Sequence, residues 1–187
     1  MATAELIGTA GPRRPPSGLR RTWLRAYGAI WMATLSAAAL VATRLSVAVH
    51  HLLGLRLDPN RNPPPHIGHV LALAAHNIPI AAWPLLLGVV GAQRHRLGRQ
   101  IADTAVLACI IVNILPVGAA LGAYGAPLLP YVPQLPLEWA GLALGASAWL
   151  IQRRRALTVR EGLALLALIA GVLLCAAVVE TVAVPHR

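Results

Sequence analysis

Residues Leu128 to Trp149 read LLPYVPQLPLEWAGLALGASAW, and this stretch decides the fold. It opens with Pro130, Pro133 and Pro136. Proline fixes φ and lacks an N–H, so Leu128–Pro136 is not expected to run as a regular helix. The pattern then changes. Leu137 to Ile151 is apolar and carries Gly141 and Gly145 four residues apart, a spacing that lets a neighbouring backbone approach a membrane helix. Glu138 sits at the mouth of this segment. An acid there needs a partner or a route to the interface. A broken entry, a close-packing helix and one acid together indicate a polytopic membrane protein.

The rest of the composition agrees. Of 187 residues, 57% are hydrophobic and only 12% charged, about half the charged share of a soluble domain. The sixteen basic residues are all arginine, against six acids, for a net charge of +10. A soluble chain this basic would suggest nucleic acid. Here the arginines lie in short clusters between apolar runs, where membrane topology accounts for them and no nucleic-acid partner is expected. Cys109 and Cys175 both fall in apolar runs without metal-ligand spacing, and read as small hydrophobes.

Five spans are expected, at about Ala26–Val49, Ile67–Gly91, Ile101–Ala123, Leu137–Ile151 and Gly162–Val184. The fold class is therefore an all-α, polytopic membrane helical bundle of about five transmembrane helices. A proline-rich broken or re-entrant segment is expected before the fourth. Residues 1–25 read as a disordered basic cytoplasmic tail and 26–187 as a single transmembrane domain. Arg20-Arg21-Thr22-Trp23-Leu24-Arg25 has the look of a twin-arginine export signal. No small-residue cleavage site follows it, so it reads better as a basic anchor with Trp23 and Tyr27 at the interface. Pro79 and Pro84 should kink or interrupt the second span. A second glycine pair, Gly118 and Gly122, lies in the third.

Twelve arginines fall in the N-terminal tail and in the segments after spans two and four, against three in the alternate segments. That bias places the N-terminus in the cytoplasm and the C-terminus outside. The same topology brings Arg44, Glu138 and Glu180 toward the outer face, with His50, His51, His66 and His69, and His76 somewhat deeper. Asn77 and Asn113 are the polar residues inside spans two and three. The expected polar cluster is Arg44, His76, Asn77, Asn113, Glu138 and Glu180. Arg44 could pair there with an acid or snorkel to water. The packing set is Gly118, Gly122, Gly141 and Gly145. The histidines lack a His-Glu-x-x-His arrangement, no phosphate loop or nucleophile elbow is present, and the serines lack a base partner. No catalytic residue, metal or cofactor is expected.

Several of these residues carry a resemblance. Pro133-Gln134-Leu135-Pro136-Leu137-Glu138, followed by Trp139-Ala140-Gly141, is similar to the Pro-His-Gly-x-x-Glu element of the stage II sporulation protein M family. Asn77 matches an Asn in that family's second span, and Asn113 one in its third. Ala176-Ala177-Val178-Val179-Glu180 and Pro185 match its last span. The resemblance covers about Leu71 to Pro185. The family's His-Gly pair is Gln134-Leu135 here, so the role of that histidine is not carried over. The resemblance implies a non-enzymatic subunit in a bacterial cytoplasmic membrane that anchors or organises other envelope proteins, wall hydrolases among them. A permease subunit of an ATP-driven exporter, with an ATPase as partner, is the alternative layout. A homo-oligomer is compatible with either.

Overall fold

The computed structural model describes residues 18–55 and 66–183, which are helical with no strand among them. Five long helices follow in order: α1 Leu19–Leu53, α2 Ile67–Val89, α3 Arg96–Tyr124, α4 Leu135–Gln152 and α5 Val159–Ala183. By length and composition α1, α2, α3 and α5 can each cross a membrane, which marks a multi-pass membrane protein. Helix α4 is not among those four. At 18 residues it is about 27 Å long, and it carries Glu138, Ser147 and Gln152 within its apolar sequence.

Local chemistry explains the helix ends. Gly54 stops α1 in the left-handed region (φ 55°), its N–H bonding the carbonyl of His50. The Nδ1 of His66 accepts the N–H of His69 at 3.1 Å and so caps α2. Within α1 a π-helical turn spans Val41–Leu45. There the Thr43 hydroxyl donates back to the carbonyls of Ala39 (2.8 Å) and Leu40 (3.2 Å), a bond that competes with the regular ladder. Helix α2 is interrupted at Trp83, just before Pro84. Pro84 has no N–H for the carbonyl of Ile80. The Cys109 thiol of α3 reaches that carbonyl instead, at 3.9 Å. Between α3 and α4 the chain turns at Gly125 (φ 60°) and passes through a 3-10 segment, Ala126–Tyr131.

Helix α1 begins at Leu19, so Arg20, Arg21 and Arg25 stand on a helix. The expected boundary between tail and first span, at 25–26, thus falls inside α1. The apolar residues that follow let the helix extend back through Trp23, which stacks on Tyr27 one turn later at 5.3 Å. Residues 1–17, 56–65 and 184–187, which include Arg56, Arg61, Pro185 and Arg187, lie outside the described residues.

Helix α4 is the hub. It runs between two helix pairs, α1 with α3 on one side and α2 with α5 on the other. Residues 141–149 are all buried, with Ala143 and Ala148 at 0% exposure. A helix enclosed by protein faces little lipid, so it tolerates the polar residues that lower its hydropathy. The glycines set the spacing. A Cβ built on Gly145 would overlap the carbonyl oxygen of Ala81 in α2, and one on Gly141 would come 2.7 Å from the Leu173 side chain in α5. Gly122 likewise meets the Ala38 carbonyl of α1, and a Cβ on Gly118 would lie 2.6 Å from the Thr34 carbonyl oxygen. The two pairs therefore differ: Gly118 and Gly122 share one partner helix, whereas Gly141 and Gly145 face two.

Candidate functional site

The polar residues of α4 build the site. Glu138, in its first turn, accepts a hydrogen bond from the Asn77 amide of α2 at 3.3 Å. Asn113 of α3 lies across the same small cavity, about 50 Å³, which Trp139 and Leu142 of α4 also line. The Asn113 amide donates to the carbonyl of Cys109, one turn back, at 2.7 Å. The Trp139 ring is buried and its indole N–H has no protein acceptor. Glu180 of α5 is half-buried, on a helix that packs against α2 and α4.

The structure thus gathers Asn77, Asn113 and Glu138 around one cavity, which Glu180 does not line, and it separates Arg44 and His76 from them. Arg44 is exposed, on the π-helical turn of α1. Among the described residues the ion pairs are Arg153–Asp103 and Arg155–Glu161, so neither Glu138 nor Glu180 is paired with Arg44. Arg44 belongs to the α1–α3 side of the bundle, whereas Glu180 belongs to the α2–α5 side. His76 is exposed as well. It precedes Asn77, and a one-residue step turns a helical side chain by about 100°. The inward setting of Asn77 therefore turns His76 out.

His50, at the end of α1, has a local role. His50 stacks on Tyr124 at 4.4 Å. The Tyr124 hydroxyl donates to the His50 carbonyl at 3.3 Å and accepts the Leu55 N–H at 2.8 Å, fastening the end of α1 to the end of α3. No group of three or more potential metal ligands occurs among the described residues. Gln134 is buried with its Oε1 unpartnered. Among the described residues none other than glycine has a positive φ, so the backbone at Leu135 does not require a glycine.

A second set of contacts lies at the opposite end, and reading by apolar span missed it. The Trp149 indole donates to Asp103 at 2.8 Å, and Arg153 pairs with the other carboxylate oxygen at 3.2 Å. The Gln152 amide donates to the carbonyl of Leu85 at 3.1 Å, and the Gln93 amide to that of Gly88 at 3.4 Å. These carbonyls lie near the C-terminal end of α2, and that of Gly88 also accepts the Gly91 N–H at 3.2 Å. Asp103 offered a signal, as the sole acid of the third span. Cys109 is also more than a hydrophobe: the Trp83 indole donates to its sulfur at 3.4 Å.

Compared with family models, curated proteins and solved structures, the chain matches none of them.

Proposed function

We propose that this chain is a non-enzymatic integral membrane subunit that anchors or organises a protein complex at the bacterial cell envelope, as its resemblance to the stage II sporulation protein M family implies. One observation carries this reading: three polar side chains of α4 are engaged with neighbouring helices. Glu138 is tied to α2, Trp149 to α3 and Gln152 to α2. The cavity beside Glu138 is about 50 Å³, room for a water or two and well below the roughly 300 Å³ at which ligand sites begin. An arrangement of this kind fixes helices relative to one another, which suits a scaffold.

In this reading all five helices cross the bacterial cytoplasmic membrane, with α4 as a fifth span shielded by the others. Ala126–Tyr131 and the turn after it lie at the outer interface, or dip in as a re-entrant piece covered by protein. The N-terminus is cytoplasmic and the C-terminus outside. The contacts Asp103–Arg153 and Gln152–Leu85 gather the α2–α3 and α4–α5 connections at one end. Seven arginines, from Arg94 to Arg160, lie in and beside those connections, which supports a cytoplasmic placement.

A permease subunit of an ATP-driven exporter is the second reading. An apolar cleft of about 690 Å³ between α1, α3 and α4, with Asp103 and Arg153 on its rim, favours it. The short α2–α3 connection, with only a 3-10 turn at Ala92–Arg94, offers an ATPase little to grip. The test is purification of the tagged full chain in mild detergent. Recovery of wall hydrolases is the expected result; stoichiometric recovery of an ATPase would move the chain to the exporter reading. A reporter active only in the cytoplasm, fused after Arg187, should be silent.

A further inference from the structure

At Gly118 and Gly122, α3 lies against the backbone of α1, at the carbonyls of Thr34 and Ala38. Toward the arginine-rich end the two helices part. There α1 presents Ala26, Ala29 and Ala33, whose short side chains leave a cleft of about 690 Å³ against α3, floored by Ala146 and Trp149 of α4. Leu107, Ile111 and Leu150 line it and are exposed, so it opens sideways, toward lipid. Along α3 the cleft runs from Asp103 to Ile114, about 16 Å of helix. Half the hydrocarbon thickness of a bilayer is about 15 Å. The cleft therefore has the depth of one leaflet and an apolar lining suited to an acyl chain.

One end of the cleft is charged. Arg153 lines it, with 42% of its side chain exposed. It gives Asp103 one nitrogen, Nη2, at 3.2 Å, which leaves most of its five N–H donors open. Asp103 has both oxygens taken, by that nitrogen and by the Trp149 indole. Arg99 stands four residues before Asp103, on the same face of α3, and takes part in neither ion pair of the described residues. A positive end on an apolar trough fits an amphiphile with an anionic head. A second copy of the chain fits less well, because in a shared membrane it would set its own arginines beside these. We propose that this cleft seats one acyl chain of an anionic phospholipid, whose phosphate accepts hydrogen bonds from Arg153. The inference rests on the chain being a multi-pass membrane protein, and not on which partner it serves.

The experiment is native mass spectrometry of the full chain, delipidated in non-ionic detergent. It is titrated with phosphatidylglycerol and with phosphatidylcholine of the same acyl chains, which has no net charge. The first phosphatidylglycerol should bind about tenfold more tightly than the first phosphatidylcholine, the worth of one charge-assisted hydrogen bond. Arg153→Gln should remove most of that preference. Arg154→Gln, at an exposed arginine outside the cleft, should keep it. Ala29→Phe should fill the cleft and weaken both lipids severalfold. Ala29 is exposed, so the fold should survive, as melting curves would report, and Ala29→Leu serves if it does not. Equal affinity of the wild type for the two lipids would overturn the proposal. So would a full preference in folded Arg153→Gln, an equal loss in Arg154→Gln, or unchanged binding when the cleft is filled. A dimer that forms in place of lipid uptake would give the cleft to a second copy and overturn it as well.

Discussion

The two ends of the bundle handle charge in opposite ways. At the arginine-rich end, Asp103 and Glu161 each find an arginine near the surface, at 3.2 and 2.7 Å. At the other end, Glu138 and Glu180 are half-buried, and the partner of Glu138 is the Asn77 amide. The arginine available there, Arg44, is turned outward. Near water a full ion pair is inexpensive but weak. Between helices a neutral hydrogen bond holds an acid without desolvating a second charge. Helix α4 connects the two regimes, with Glu138 in its first turn and Gln152 in its last.

The largest expected effect comes from breaking that connection. Gly145→Leu drives a side chain into the Ala81 backbone, and a backbone cannot yield as a side chain does. Helices α2 and α4 must separate, which strains Asn77–Glu138 at one end and Gln152–Leu85 at the other. Overpacking costs about 1–3 kcal/mol and sometimes more; this change should reach or exceed that range and sharply lower recovery of folded protein. Gly141→Ala meets only the Leu173 side chain and should be clearly milder. Thermal melting in detergent ranks the two, and equal melting points would show that the glycine contact with α2 does not hold α4 in place.

Next comes the inner pair. Asn77→Leu leaves Glu138 without its amide donor and should cost about 1–2 kcal/mol, between an average membrane hydrogen bond and an unsatisfied buried group. Asn77→Leu with Glu138→Leu should cost less than the sum of the singles, because the double removes both polar partners. Glu138→Gln, which keeps an acceptor, should cost little. A strictly additive double would mean that Glu138 is solvated, and the contrast between the two ends would disappear.

These contrasts also show what the sequence could tell. The alternation of long apolar runs with arginine clusters made the helices legible, because lipid demands both. Their ends shifted by several residues where the chemistry is local: α1 reaches back to Leu19 and α3 to Arg96. The spacing of Gly141 and Gly145 marked a close-packed face. It could not reveal that the face divides between α2 and α5, since spacing carries no information on how many neighbours a helix has. Likewise a shared depth grouped Arg44 with Glu138 and Glu180. Depth fixes position along the membrane normal but not angle about a helix axis, and the π-helical turn around Arg44 alters that angle in a way residue spacing does not encode. Gln93 and Gln152 begin the two basic connections in the sequence. That Gln152 bonds a carbonyl of α2 follows only once α2 and α4 lie side by side.

A smaller effect is expected at the surface pair. Arg153 and Asp103 are 42% and 36% exposed, so Arg153→Ala should cost about 0.2–1 kcal/mol. That cost should fade at about 1 M salt, where the screening length is about 3 Å. Asp103→Ala should cost more than Arg153→Ala and keep most of its cost in salt, because it also strips the acceptor from the Trp149 indole, which is 1% exposed. Matching salt responses of the two variants would mean that the indole bond adds nothing to the ion pair.

The smallest effect belongs to Arg44, and its smallness is informative. A charge inside the bundle with an acidic partner is strongly coupled to that partner, because removing one leaves the other buried alone. Arg44 is exposed and lies on the α1–α3 side of the bundle, and Glu138 already has the Asn77 amide. Arg44→Ala should therefore change stability by no more than about 0.5 kcal/mol, as surface substitutions do. The doubles with Glu138→Ala and Glu180→Ala should equal the sums of their singles within about 0.3–0.5 kcal/mol. Detergent unfolding of the three singles and two doubles measures this directly. A coupling above 1 kcal/mol in either double would bring Arg44 back to the acids, and both ends of the bundle would then neutralise their carboxylates in the same way.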